Sequence, residues 1–299
     1  MRKLKVYFFT FKDLGKAMHN ISQEVLRYCP EWVEPVATFD ECDFVVEHII
    51  GDHFASPFIQ DKNLSHRIKS KPFVLFLYCV GCPMEQVKTN GFFQWAFDNA
   101  TMIQTYLPVE LYGLQLGDNI HRSPLGYDHN VYKYEPVFKT FRSIMTTGYV
   151  AAYEALEEVY HAAKIAGGTM HHVGHNFRWD IETYKHYEKI PNNKMRDLYL
   201  YSKFVSGLRR GEGFELPVLE GAACGARPIV FNNPHYHWFK KFACYIEETN
   251  FVDVRQQIYN LLIEDKDVTV DKETLEYIRN TFAWDVVAPA FWNALESRI

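Results

Sequence analysis

The feature that most constrains the fold is an alternation of short apolar runs with helical patterns, which occurs twice along the chain. Strand-like runs rich in β-branched and aromatic residues lie at 3–11, 43–50, 72–78, 101–107, 143–147, 169–173, 203–208 and 227–232. Apolar residues at helical spacing lie at 16–28, 92–99, 151–166, 195–201, 215–224, 252–264 and 272–295. Strands that alternate with helices form parallel sheets, so the sequence predicts two α/β halves in series.

A polar segment at 129–136 separates the two halves. The length of 299 residues suits two domains of ordinary size. We place an amino-terminal domain at residues 1–135 and a second domain at 136–280. For the carboxyl-terminal helix at 281–299, a return to the first domain is one option. Open parallel sheets bind ligands at the carboxyl ends of their strands, so we expect two Rossmann-like domains that face each other across a cleft.

Composition and charge exclude several classes of protein. The net charge of −5 and the lack of a long Lys/Arg run argue against a general nucleic-acid binder. The longest apolar run, 73–82, is about half the length of a membrane span. The amino terminus is interpreted as a strand rather than a signal sequence, which predicts reduced cysteines in a cytoplasmic protein. The lone Cys79–Cys82 pair is interpreted as structural, because a zinc site needs two more ligands.

The segment 204–230 has the pattern strand, glycine-bearing loop, short helix, strand. Pro217 suits a first helical turn, where its missing N–H would have no partner in the helix. Gly213 allows the backbone to approach a ligand closely. The N–H groups of residues 214–218 at the start of this helix suit an anion such as a diphosphate.

Two carboxylates in this segment, Glu212 and Glu220, would repel a phosphate. Both are suited to sugar hydroxyls instead, because a carboxylate can accept hydrogen bonds from two neighbouring hydroxyl groups. Glu212 is the candidate for holding a donor sugar, and Glu220 for holding the ribose of a nucleotide.

The same segment, Glu-Gly-Phe-x-Leu-Pro-x-Leu-Glu-x-x-x-Cys-Gly-x-x-Pro-Ile, resembles the hallmark of family-four retaining glycosyltransferases, whose two glutamates are separated by seven residues. Leu125–Asp128 resembles the end of that family's first domain, and Asn280–Asp285 resembles a motif near its carboxyl end. The resemblance implies the GT-B fold, a nucleoside-diphosphate sugar as donor, and retention of anomeric configuration. It also implies that Glu212 contacts the transferred sugar and Glu220 the ribose.

The expected site follows from the segment and the resemblance together. Its catalytic residues are Glu212 and Arg210, and its donor-binding residues are Arg209, Gly213, Phe214, Glu215, Leu216, Glu220 and Gly148. The family usually places a basic pair after the first strand of its second domain, whereas here Tyr149 and Val150 follow Gly148. We therefore hypothesise that one of the two arginines supplies the missing charge.

Acceptor-side candidates lie in the first half. They are Gly15, His48 and His53, each with a plainer interpretation as a turn residue or a surface histidine. The family often has a histidine after a first-domain strand, but the corresponding place here is Tyr78–Gly81. Two interpretations of the loop 235–238 are equally favoured: it lines the cleft, or it packs as an aromatic cluster.

Metal binding is not expected. His171 and His172 would point to opposite faces of a strand, so a structural or donor-base-facing role is favoured for them and for His175. We identify no Asp-x-Asp metal site, so we predict no cofactor beyond the donor itself. The loops at 12–15 and 148–152 lack the GxGxxG pattern of a dinucleotide enzyme.

The sequence thus predicts transfer of a sugar from a nucleoside diphosphate to an acceptor hydroxyl. The alternatives are a GT-B sugar-nucleotide epimerase and a non-catalytic sugar-nucleotide-binding protein. The acceptor is left open among a glycan, a protein and a small molecule, with a hydroxymethylated DNA base disfavoured by the acidic net charge.

Overall fold

The computed structural model describes residues 2–9, 16–49, 62–78, 91–108, 117–210, 214–264 and 269–299. Contacts divide the chain into two compact units: Met1–Gly126 together with Trp284–Ile299, and Tyr127–Ala283. Within the described residues each unit contains one six-stranded sheet, and all strand pairs are parallel. The predicted architecture of two parallel-sheet α/β domains is therefore confirmed.

The first unit contains the sheet order β2-β1-β3-β4-β5-β6. Its strands are β1 (Leu4–Phe9), β2 (Val33–Pro35), β3 (Phe44–Ile49), β4 (Phe73–Leu77), β5 (Met102–Thr105) and β6 (Ile120–Arg122). Its helices in the described part of the chain are α1 (Lys16–Arg27), α2 (Lys62–Ser70), α3 (Gly91–Asn99) and α9 (Trp284–Glu296). All five residues of β4 are buried, because a central parallel strand is covered on both faces.

The carboxyl-terminal helix α9 forms part of the core of the first unit. The Trp292 side chain is almost fully buried, and its Nε1 donates a hydrogen bond to the carbonyl of Val25 at the end of α1 at 2.9 Å. The ring of Phe291 lies 5.1 Å from that of Phe76 in β4.

The second unit contains the order β12-β11-β10-β7-β8-β9. Its strands are β7 (Ser143–Gly148), β8 (Thr169–Gly174), β9 (Tyr184–Tyr187), β10 (Phe204–Gly207), β11 (Arg227–Phe231) and β12 (Cys244–Ile246). Its described helices are α4 (Leu156–Ala166), α5 (Asn192–Tyr201), α6 (Leu216–Ala223), α7 (Phe251–Ile263) and α8 (Lys272–Phe282), with a 3₁₀ turn at Pro234–Phe239. The strand order reverses between β7 and β10, and the carboxyl ends of strands at such a switch point are where doubly wound sheets bind ligands.

Two local departures from the sequence pattern have identifiable causes. Helix α4 begins at Leu156 rather than 151, because the carbonyls of Ala152 and Tyr153 accept hydrogen bonds from the side chain and backbone of Arg210. The apolar pattern at 272–295 forms two helices, because Ala283 between them has extended backbone (φ −70°, ψ 146°).

The second unit begins at Tyr127, whereas the sequence predicts a second domain that starts at residue 136. The backbone N–H of Tyr127 donates to the carbonyl of Phe282 at 2.9 Å, and Glu135 pairs with Arg196 at 3.1 Å. In the part of the chain that the structure describes, no helix combines the length and apolarity needed to cross a bilayer.

Candidate functional site

The switch point lies where β7 and β10 end. Gly148 closes β7 with φ +144°, and a Cβ built there would lie 2.0 Å from the Glu154 carboxylate. Gly174 closes the neighbouring β8 with φ +149°, and its Cβ would lie 1.9 Å from the carbonyl of Gly148. Only glycine fits these two positions, because both the backbone angle and the space exclude a side chain.

A carboxylate occupies the loop that follows β7. Glu154 is buried, and its Oε2 accepts hydrogen bonds from the N–H groups of Tyr149 at 2.6 Å and Val150 at 2.8 Å. Successive backbone N–H groups that point into one concavity form an anion site. In this structure the anion is the protein's own Glu154.

Arg209, just past the end of β10, lies between two buried carboxylates. Its Nε is 3.0 Å from Glu215 and its Nη2 is 3.6 Å from Glu154. Its backbone is held by the buried Tyr236, whose hydroxyl accepts from the Arg209 N–H at 3.3 Å and donates to the Arg209 carbonyl at 3.1 Å. Arg209 is therefore held by three other segments of the second unit: the loop after β7, the cap of α6 and the 3₁₀ turn.

Arg210 is directed to a different set of partners. Its guanidinium pairs with the buried Glu158 at 2.7 Å and with the exposed Glu248 at 3.6 Å. It also donates to the carbonyl of Ala152, which anchors the loop ahead of α4. Both arginines expected at the donor phosphates are thus ion-paired with carboxylates, and their contact with a donor stays a prediction.

Glu220 lies near the end of α6, beside two buried tyrosines. The Tyr199 hydroxyl donates to Glu220 Oε2 at 3.3 Å, and the Tyr132 hydroxyl is a second hydrogen-bonding partner. Burial raises the pKa of Glu220 to about 8, with a further rise from the charge of Asp128, while the two tyrosines act in the opposite direction. A carboxyl group with such a pKa can donate a hydrogen bond to a ligand hydroxyl as well as accept one.

The start of α6 is held by packing beneath it. Phe214 is buried, with its ring 5.1 Å from Phe239 and 6.5 Å from Phe282. Glu215 occupies the position that caps α6, and Leu216 is its first residue. The helix lies close to β10, because a Cβ on Gly221 would be 2.7 Å from the Val205 side chain.

Several predicted residues lie outside the described residues, namely Glu212, Gly213, Gly15, His53, Cys79 and Cys82. The acceptor-side candidate His48 is described and belongs to the core of the first unit. Its Nδ1 is 2.7 Å from the Tyr78 hydroxyl and its Nε2 is 2.8 Å from the Ser22 hydroxyl. These contacts explain His48 as a packing residue of the first unit. Its contact with an acceptor stays a prediction.

The histidines at β8 lie on opposite faces of the strand, as the alternation predicts. His172 is fully buried, with its Nδ1 2.8 Å from the Thr146 hydroxyl, and burial lowers its pKa to about 4. His171 on the other face lies 3.3 Å from the Tyr187 hydroxyl. Over the described ranges, no three His, Cys, Asp or Glu side chains form a group that could hold a metal ion.

Sequence reasoning missed three residues that organise this region: Glu154, Tyr199 and Tyr132. Glu154 has no distinguishing signal, because it falls within an apparently helical pattern. Tyr236 belongs to the candidate loop 235–238, but its hydrogen bonds to Arg209 depend on the tertiary fold.

The described architecture matches solved structures along nearly its whole length. The match to HepE from Anabaena, in complex with UDP and glucose, has a TM-score of 0.73 and 12% identity and covers 99% of this chain and 100% of that one. HepE has also been solved with UDP alone and with UDP-glucose. Sucrose-phosphate synthase from Thermosynechococcus elongatus matches with a TM-score of 0.74 and 11% identity, covering 99% of both chains.

A third similar structure is AviGT4, a glycosyltransferase involved in avilamycin A biosynthesis, with a TM-score of 0.62 and 11% identity over 99% of this chain and 97% of that one. No protein-family model matches the sequence, and no curated protein sequence matches it. The chain therefore has the two-unit α/β architecture of GT-B glycosyltransferases, and at these identities the likeness establishes the fold alone.

Proposed function

We propose that the protein is a retaining glycosyltransferase that moves a hexose-like sugar from a nucleoside diphosphate to an acceptor hydroxyl. The observation that carries the proposal is the position of α6, which contains Glu220. This helix follows β10, one of the two strands that flank the switch point of the second sheet. Ligands of doubly wound sheets bind at this place.

In the proposed site, Glu212 binds the transferred sugar and Glu220 binds the ribose hydroxyls. The N–H groups at the start of α6, where Phe214, Glu215 and Leu216 lie, bind the diphosphate together with Gly213. Arg209 adds a positive charge when the donor replaces one of its two carboxylate partners. Arg210 is the second candidate for this task.

The proposed reaction requires little covalent chemistry from the protein. It positions the acceptor oxygen and stabilises the charge that develops on the leaving diphosphate. We propose that no metal ion or further cofactor takes part. A UDP-sugar is the first donor to test, because HepE has been solved with UDP and UDP-glucose.

The acceptor is proposed to be a hydroxyl of a glycan, a protein or a small molecule. A DNA base is a weaker candidate, because the chain carries a net charge of −5. We place the reaction in the cytoplasm, since the cysteines in the described ranges (Cys29, Cys42, Cys224 and Cys244) are free thiols.

The test is a panel of UDP-, GDP- and ADP-sugars, with release of nucleoside diphosphate as the readout. We expect one donor to be turned over, and we expect Glu212→Ala to abolish turnover. The matched control is Glu276→Gln, which removes an exposed carboxylate from α8 and should leave the rate unchanged. Retention is checked separately by NMR of the anomeric proton in the product. Equal rates in native and Glu212→Ala protein would contradict the proposal.

One observation favours a second candidate, a protein that binds a sugar nucleotide without turning it over. Arg209 and Arg210 together face four carboxylates, so in the described structure their charges are engaged within the protein rather than directed at the charge that develops on a leaving diphosphate. Donor-induced thermal stabilisation without release of nucleoside diphosphate from any donor would support this candidate.

A further inference from the structure

The amino-terminal edge of the second sheet exposes a set of large apolar side chains. Because the strands are parallel, the segments that enter them lie along one edge, opposite the edge that holds Gly148 and Gly174. Phe138, ahead of β7, is 99% exposed. Four further side chains in these segments are at least half exposed: Phe141 before β7, Ile165 before β8, Ile181 before β9 and Tyr201 before β10.

Contacts between neighbouring segments join these side chains into one surface, which we call the amino-edge row. The N–H of Thr140 donates to the carbonyl of Tyr201 at 2.7 Å. The guanidinium of Arg142 donates to the carbonyl of Ala166, next to Ile165. Lys164 pairs with Asp180, next to Ile181, at 3.5 Å. The row therefore follows the strand order β10-β7-β8-β9.

Each position of the amino-edge row carries a cation beside the apolar group. The basic residues are Lys139, Arg142, Lys164, Lys185 and Lys203. The guanidinium carbon of Arg142 and the Nζ of Lys203 lie 4.5 Å and 5.6 Å from the centre of the Phe141 ring. Lys185 donates to the carbonyl of Ile181 at 2.6 Å.

Carboxylates in the same segments are fewer. Asp180 pairs with Lys164, Glu135 pairs with Arg196, and Glu182 lies beside Ile181. The amino-edge row thus has a local excess of positive charge in a chain whose net charge is −5. A local excess of positive charge on an acidic protein orients that face of the protein toward an anionic surface.

We propose that the amino-edge row docks on an anionic lipid surface. Apolar side chains of this kind enter the boundary between headgroups and acyl chains, and flanking lysines and arginines are attracted by anionic headgroups. Ile165 and Ile181 favour lipid over single-stranded nucleic acid, since bases stack on aromatic rings and not on aliphatic groups. Docking at this edge leaves the candidate donor site at the other end of the same strands uncovered.

The experiment is flotation of the full chain with vesicles, a readout that needs neither donor nor acceptor. One set contains phosphatidylcholine alone, and in the other a third of the lipid is phosphatidylglycerol. We expect binding to the anionic set only, weakened by added salt. Phe138→Ser combined with Phe141→Ser should release the protein from these vesicles. Lys139→Gln and Lys203→Gln should each weaken binding about fivefold.

Matched controls lie on the same unit away from the row. Val252→Ser removes a half-exposed apolar group at the start of α7, and Lys189→Gln with Lys194→Gln removes two exposed charges beyond the carboxyl end of β9. Both controls should float as the native protein does. Circular dichroism melting of every variant separates loss of docking from loss of folding.

Three outcomes would overturn the proposal. They are equal flotation of the Phe138/Phe141 variant and the native protein, flotation with neither set of vesicles, and retention of single-stranded DNA by the row in place of vesicles. Assembly into dimers that the Phe138/Phe141 variant cannot form would assign the row to a second copy of the chain instead.

Discussion

At the scale of single residues, Arg209 of the second unit lies between two buried negative charges. Its charge faces Glu154, which backbone N–H groups also hold, and Glu215 at the cap of α6. These two carboxylates are almost fully buried and share the Arg209 guanidinium. Removing a partner from a buried ion pair costs more than the pair contributes, since the remaining charge stays desolvated.

Arg209→Ala is therefore expected to destabilise the protein by about 3–5 kcal/mol, measured by urea unfolding. Adding Glu215→Gln to this variant should recover part of the loss, because one buried charge is then gone. The control is Arg2→Ala, which removes an exposed pair with Asp43 and should cost no more than about 1 kcal/mol. Strictly additive effects of Arg209→Ala and Glu215→Gln would contradict this account.

Glu220 makes stability depend on pH. Its pKa rises from 4.5 to about 8 on folding, mainly through burial. The folded state therefore binds the proton more tightly than the unfolded state. This contribution to stability is present at low pH and is lost as pH rises toward about 8.

Glu220→Gln should match the native protein at pH 4, below the unfolded-state pKa of 4.5, and exceed its free energy of unfolding at pH 9 by on the order of 2–5 kcal/mol. The amide keeps the shape of the carboxyl group without the charge that burial disfavours. Urea unfolding across this pH range measures the difference. A difference between the two proteins that is constant with pH would exclude Glu220 as its source.

At the scale of elements, the contact between α6 and β10 positions the loop that precedes the helix. Gly221 allows it, because a Cβ there would meet the Val205 side chain at 2.7 Å. Gly221→Ala should gain about 1 kcal/mol in helix propensity and lose more by overpacking, for a net destabilisation of about 1–2 kcal/mol.

Val205→Ala in the Gly221→Ala background tests the steric cause. The double variant should be less destabilised than the sum of the two single variants, because both Val205 methyl groups are gone and only the contact with the Val205 Cβ, at 2.9 Å, remains of this clash. Chemical denaturation of all four proteins completes the cycle. Additivity would mean that the cost of Gly221→Ala arises elsewhere.

At the scale of the whole molecule, the two units use the chain differently. The second is formed by one continuous stretch, whereas the first needs the last helix of the chain. Trp292→Ala is expected to destabilise the first unit by about 3–5 kcal/mol, since a large buried ring and its hydrogen bond to Val25 are lost.

Hydrogen exchange resolves the effect of Trp292→Ala by unit. Protection should fall in β1, β3 and β4, while β7, β8 and β10 keep theirs. Trp238→Ala, in the 3₁₀ turn of the second unit, is the matched control and should leave the first unit unchanged. Equal loss of protection in both sheets after Trp292→Ala would show that the units unfold as one.

The two α/β halves were predictable from the sequence because strand and helix periods are local properties of the side-chain pattern. The apolar runs of β1, β3 and β4 and the glycine-bearing segment before α6 are examples. The short strands β2, β6, β9 and β12 were missed, since they lack a sustained apolar run and become strands by pairing with a neighbour.

What the sequence by itself determined is the fold class and the segment that carries the candidate chemistry. Only the tertiary structure decided which charges meet. Arg209 pairs with Glu154 and Glu215, Arg210 with Glu158 and Glu248, and Glu220 with Tyr199. Ion pairing and pKa depend on distance and burial in three dimensions, and the partners of these groups come from separate elements of the second unit.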